Sequence, residues 1–185
     1  MGSASGSPKR FRGRELSHFV RGENGELIYN GPHVRYDGSI DRWRSLLTRL
    51  WILGGGGLLF CMASGMLPYS TSRAHFHVFL SYAAALITQV VLVWKLGRAS
   101  DKEGRLRSYV FEETLAVIPR LALVSLVFHA LHLLALAFDA ASGVILGSLS
   151  EVVASAVCCA VSILCLVGLF RMRKSLVFRE ENEAV

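Results

Sequence analysis

Four apolar runs, each long enough to cross a hydrocarbon layer as a helix, constrain this chain more than any other feature. At a rise of ~1.5 Å per residue, a bilayer core of ~30 Å takes about twenty helical residues. The runs cover residues 46–67, 76–96, 114–138 and 143–170, the last being strictly apolar only from Val152. In lipid every backbone N–H and C=O needs a partner, and a helix supplies these partners within itself. The expected fold class is therefore an all-α membrane protein: a four-helix antiparallel transmembrane bundle with a short β-hairpin-like cytoplasmic N-terminal segment. Short connections place successive spans side by side. The expected division is a cytoplasmic segment with a juxtamembrane helix over 1–45, a four-span domain over 46–170 and a cytoplasmic tail over 171–185.

A formal charge of +6 could mean nucleic acid in a soluble protein, but 52% of the residues are hydrophobic. Here the distribution of charge outranks its sum. Nine Lys and Arg precede or open the first run, five lie between Lys95 and Arg107, and four follow the last run. The outer loops hold Arg73 alone, and Arg120, near the cytoplasmic start of the third run, can snorkel to the headgroups. The positive-inside rule then puts both termini in the cytoplasm of a multi-pass protein of the cell membrane. Nucleic acid is not an expected partner, because no arginine array carries interleaved aromatics. A polar, basic stretch longer than a usual signal-peptide n-region precedes Leu46, so the first run reads as an anchor, and Met1–Ser7 reads as a flexible end.

Ahead of the membrane, three β-prone runs (His18–Arg21, Glu26–Tyr29 and His33–Tyr36) are separated by Glu23-Asn24-Gly25, Asn30-Gly31-Pro32 and Asp37-Gly38. Each separator has turn chemistry, which predicts a small hairpin or meander. Such a piece has too few apolar residues for its own core and has to lean on the membrane, the inner loop or a partner. Ser39 can cap a helix whose Ile40, Trp43, Leu46 and Leu47 share a face along the membrane surface. The inner loop, Gly97–Glu113, reads as a cytoplasmic helix approaching the third span. Pro119 then either kinks that span at its start or marks the junction of interfacial and spanning parts.

Among residue types able to bind metal, only histidine is suggestively grouped. His75 and His77 open the second run, while His129 and His132 lie three apart on one face of the third. All four fall in the outer half, where a haem would take one imidazole from each of two facing helices: His77 with His132, or His75 with His129. The leaner expectation is that no cofactor binds, that haem b is the alternative, and that these imidazoles bond Ser, backbone or each other. Asp139 and Glu151 mark the outer water boundary and could join the histidines in a proton-sensitive cluster.

Gln89 carries an amide at a depth without water and needs a partner, expected on the third span near Arg120–Ser125. Gly54–Gly57, continued by Cys61 and Gly65, gives the first span a strip of small residues. Gly143 and Gly147 do the same on the fourth. Gly57, Cys61, Gly65, Gly143, Gly147 and Gln89 are thus the expected helix-packing residues. Lacking a following Lys-Ser/Thr, the glycine tetrad is no phosphate loop. The four cysteines (Cys61, Cys158, Cys159 and Cys165) all lie in apolar runs and need no disulfide to account for them. There is no GxSxG elbow, HExxH helix or paired-carboxylate site, so no catalytic residue is expected.

The order of parts, with Tyr29-Asn30-Gly31 to Tyr36-Asp37 ahead of a first span ending in Leu67-Pro68, resembles small four-span membrane proteins of unknown function from Gram-positive bacteria. The resemblance covers the layout of most of the chain, implies a bacterial plasma membrane and carries over no catalytic residue. The expected function is that of an accessory or regulatory membrane protein. Its expected contacts are the lipid bilayer, a membrane or cytoplasmic protein partner, or further copies of itself. The alternatives are a haem- or metal-binding redox protein and a small transporter.

Overall fold

The computed structural model describes residues 19–21, 24–67, 76–101, 103–142, 149–174 and 176–181. Within them the chain is mostly helical, with four long apolar helices: α1 Ile40–Met66, α2 Phe76–Arg98, α4 Ile118–Ala141 and α5 Leu149–Lys174. A short α3, Ser108–Glu113, precedes α4, and each long helix contains a stretch long and apolar enough to cross a membrane. The strands are β1 Phe19–Arg21, β2 Leu27–Tyr29, β3 His33–Tyr36, β4 Arg105–Arg107 and β5 Phe178–Glu181.

Helix α1 starts where the residue types dictate. Ser39 stays extended and its Oγ accepts from the Arg42 N–H at 3.3 Å, while Asp41 places a negative charge in the first turn. The buried residues of α4 (Ile118, Ala122, Ser125, His129, His132, Leu136 and Asp139) alternate in steps of four and three, forming a narrow heptad-like seam. Helix α1 packs on α2 and α5, and α4 packs on α2 and α5, so the four close into a ring. Small residues set the spacing. A Cβ on Gly54 would run into Leu96, one on Gly57 would press on Cys165 and Gln89, and one on Gly65 would overlap the Tyr82 phenol.

The strands divide differently from a simple meander. β1 and β2 form the expected hairpin, with Phe19 opposite Tyr29. β3 leaves it and becomes the centre of a three-stranded sheet in the order β4-β3-β5, antiparallel to both neighbours. The loop between α2 and α4 thus contributes a strand before its short helix, and the tail after α5 contributes another. The reason is burial: β3 turns Val34 inward opposite Leu106, and both are buried, as is Leu176, which shares one core cluster with Leu106.

Trp43 organises that cluster. It is fully buried, its Nε1 donates to the Asp101 carbonyl at 2.7 Å, and Tyr36 and Phe178 lie 5.5 and 5.8 Å from its ring. It therefore faces the sheet, whereas the sequence pattern had placed its face along the membrane surface. Gly104, at φ +71°, passes so close that any Cβ would touch the indole. The cluster gathers the start of α1, the end of α2 at Leu96, the start of α4 at Ile118 and the end of α5 at Leu169. The opposite ends meet in a smaller cluster of Val78, Leu136 and Val152.

The helix boundaries also shift. α1 is continuous from residue 40, the third long helix begins at Ile118 rather than 114, and α5 runs past 170 to Lys174. Pro119 accounts for the break after α3. Proline has no N–H and its ring crowds the carbonyl four residues back, here Leu115. The Leu115 carbonyl takes the Arg173 Nε–H from α5 instead, at 2.7 Å.

Candidate functional site

The inward seams of the four long helices divide into two zones. Towards the sheet they are apolar: Leu50 on α1, Leu92 and Leu96 on α2, Ile118 and Ala122 on α4, and Leu166 and Leu169 on α5. Beyond the level of Gly57 they turn polar, with Gln89, Ser125, His129, His132, Asp139, Ser155, Ser162 and Ser64 all buried. A buried polar group without a partner costs ~1–3 kcal/mol, so the contacts here decide whether the packing is tenable.

Ser162 is the meeting point. Its Oγ accepts from Gln89 Nε2 at 2.6 Å, lies 3.0 Å from His129 Nε2, and donates towards the Gly57 carbonyl at 3.0 Å. One hydroxyl on α5 thereby joins α2, α4 and α1. His129 Nδ1 lies 2.8 Å from the Ser125 carbonyl, which can only accept, so Nδ1 carries hydrogen and Nε2 of the neutral ring faces Ser162 as an acceptor. The single Ser162 hydrogen then has two acceptors, the Gly57 carbonyl and His129 Nε2. The Gln89 partner is thus on α5, not near Arg120–Ser125 on the third span. Similar depth along the chain did not determine which seam the amide faces. Gln89 Oε1 has no hydrogen-bond partner among the described residues.

One turn further along α4, His132 Nδ1 approaches the Val78 carbonyl at 3.3 Å and the Ser81 hydroxyl at 3.5 Å. Its Nε2 is buried without a hydrogen-bond partner among the described residues. It borders a crevice lined by Cys61, Ser64, Tyr82, His129 and Cys159 that leaves no room for a water-sized sphere. Beside it, Ser64 and Ser155 bond hydroxyl to hydroxyl at 2.7 Å, joining α1 to α5. At the far end, His77 Nε2 meets Asp139 Oδ1 at 3.0 Å, with the imidazole 49% exposed and the carboxylate 2%.

Of the sequence candidates, His77 is therefore brought to Asp139, His129 to Ser162, and His132 to the backbone of α2. His75, Gly143 and Gly147 lie outside the described residues. Gly57, Cys61 and Gly65 are buried at helix contacts. The sequence pattern does not single out Ser162, and it marks Asp139 as a boundary residue. The signal available for both was their place on the seams, at heptad steps from Leu166 and Leu136. Among the described residues no three His, Cys, Asp or Glu side chains are grouped as a metal site needs. No family model, curated protein or solved structure matches the chain.

Proposed function

We propose that the chain is an accessory or regulatory membrane protein: four antiparallel transmembrane helices with both termini in the cytoplasm, acting through a cytoplasmic cap that touches anionic lipid or a protein partner. One observation carries this reading. The segment before α1, the loop between α2 and α4, and the tail after α5 contribute β3, β4 and β5 to one sheet, at the ends of the helices where the basic residues collect. The cap and the helices share the Trp43 cluster, so a contact made on the sheet is felt by the helix ends. A position in lipid accounts for the outward faces, where Leu59, Ile87, Leu134 and Leu164 are 63–69% exposed. It also accounts for Trp94, which lies at the boundary with Lys95 and Arg98 over its ring.

Two experiments bear on this. Cysteines introduced at Ser70 or Ser142 are expected to react with an impermeant reagent added outside intact cells, and one at Ser100 only after permeabilisation. The reverse pattern overturns the orientation. Purification of the full chain in mild detergent is expected to retain a stoichiometric protein partner that Trp43→Ala loses. A clean preparation with a strong Soret band instead makes the chain a haem protein. That alternative would require His77 to leave Asp139, and α2 and α4 to part around a macrocycle.

A further inference from the structure

The polar half of the seam is short of hydrogens. His132 Nδ1 points at the Val78 carbonyl, which only accepts, so Nδ1 carries the hydrogen and the buried Nε2 is a lone pair with no donor among the described residues. Ser162 has one hydrogen for both the Gly57 carbonyl and His129 Nε2. Gln89 Oε1 adds another acceptor without a donor among the described residues. The crevice that His132 borders leaves no room for a water to supply one. The closed packing therefore holds acceptors that only hydration or added protons would satisfy.

Opening the outer half provides both. A hydrated imidazole takes up a proton in mild acid, but a charge in the closed seam would lie among neutral groups. His132 is faced by Tyr82 on α2, Cys61 on α1 and Cys159 on α5, and His129 meets Ser162, which also holds Gln89. No carboxylate lines the crevice. Asp139, two turns further along α4, is engaged by His77, and Glu151 stands in the first turn of α5. His129 and His132, one turn apart, also repel each other once both are charged.

Helix α1 has a place to bend. Gly54 and Gly57 are packed against neighbours, but a Cβ on Gly55 would meet nothing within 4 Å, and one on Gly56 would meet only Cys165 Sγ, at 3.9 Å. Packing does not require these two glycines, and each weakens a helix relative to alanine. They lie where the seam changes character. On the sheet side, Leu50, Leu92, Leu96 and Leu169 close it, while on the other side α1 is held by the bond from Ser64 to Ser155 and by Gly65 against Tyr82.

We propose that the bundle is an acid-responsive switch: acid on the outer side protonates His132 and His129, and the outer half of α1 swings away at Gly55–Gly56 while the apolar half and the Trp43 cluster stay shut. The inference rests on the membrane reading above and gives the regulatory protein a stimulus. Water stabilises the imidazolium in the open state, so opening takes up protons and acid favours it.

Cys61 and Cys159 line the crevice and report on it directly. The full chain in phosphatidylcholine vesicles is treated with dithiodipyridine, which reacts with thiols in acid, and labelled cysteines are identified by peptide mass spectrometry. Rates are referred to Ser142→Cys, at an exposed position, which cancels the pH dependence of the reagent. Between about pH 8 and about pH 4.5, labelling of Cys61 and Cys159 is expected to rise at least about tenfold, the effect of one proton taken up over one pH unit. His132→Gln is expected to remove most of that rise. Gly55→Ala combined with Gly56→Ala, which fits the closed packing, is expected to lower the acid rate about fivefold, from two residues that favour the straight helix. A full rise in His132→Gln overturns the histidine trigger, and a full rise in the double alanine variant overturns the bend. An equal rise at Leu92→Cys, in the apolar half, overturns local opening in favour of general unfolding. Release of the protein from vesicles by alkaline wash overturns the membrane reading and the switch with it, whereas retention with labelling that ignores pH overturns the switch alone.

Discussion

Trp43→Ala is expected to destabilise the protein by about 3–5 kcal/mol, the range for truncating a buried tryptophan. The indole is fully buried, Tyr36 and Phe178 pack against it, and its N–H serves the Asp101 carbonyl at 2.7 Å. Its loss leaves both a cavity and a carbonyl short of a partner where α1, α2 and the sheet meet. Trp43→Phe should cost less, because most of the packing is kept and the lost hydrogen bond is worth about 1 kcal/mol. Thermal unfolding in detergent measures the difference. Limited trypsin digestion places it, with faster cleavage at Arg105 and Arg107 while the helices resist. A change within about 0.5 kcal/mol of the parent protein for Trp43→Ala would mean that cap and helices are not coupled through this residue.

Ser162→Ala is expected to cost about 2–3 kcal/mol, a large effect for one oxygen. The hydroxyl serves Gln89, His129 and the Gly57 carbonyl together, and its removal strands groups that are 1–2% exposed on Gln89 and His129. Hydrogen bonds between membrane helices often contribute only ~0.6 kcal/mol, because the unfolded helices find other partners. The expected excess therefore comes from one atom serving three neighbours. Gln89→Met alone should cost about 1 kcal/mol, and the double variant clearly less than the sum, with a coupling of about 1 kcal/mol. Additive losses in the double-mutant cycle would show that the contact is incidental to the packing.

Much of the helical layer is legible in the chain because its causes are local. Twenty apolar residues in a row cannot be satisfied in water. Ser39 ahead of Ile40 caps a helix whatever lies elsewhere, Pro119 cannot continue one from Leu115, and Gly25, at φ +79°, sits in the turn ahead of β2, which pairs back on β1. The candidate site is less legible. A helix that is apolar all round has no contrast between lipid face and core face, so only the placement of Ser125, His129, His132 and Asp139 at steps of four, three and seven reveals the seam of α4. Even that does not say what the seam faces. Gln89 lies 73 residues from Ser162, and His77 lies 62 from Asp139.

By itself, then, the sequence determined four long apolar helices, their caps and breaks, the positions of the charges and the hairpin, because each follows from solvation or backbone chemistry within a few residues. Only the tertiary structure decided that β3 leaves its hairpin neighbours for strands from the α2–α4 loop and the tail, that Trp43 turns to the sheet, and that Ser162 joins all four helices. Those outcomes depend on which surfaces meet across long stretches of chain. A three-residue strand such as Arg105–Arg107 has almost no preference of its own until Val34 offers Leu106 a place out of water.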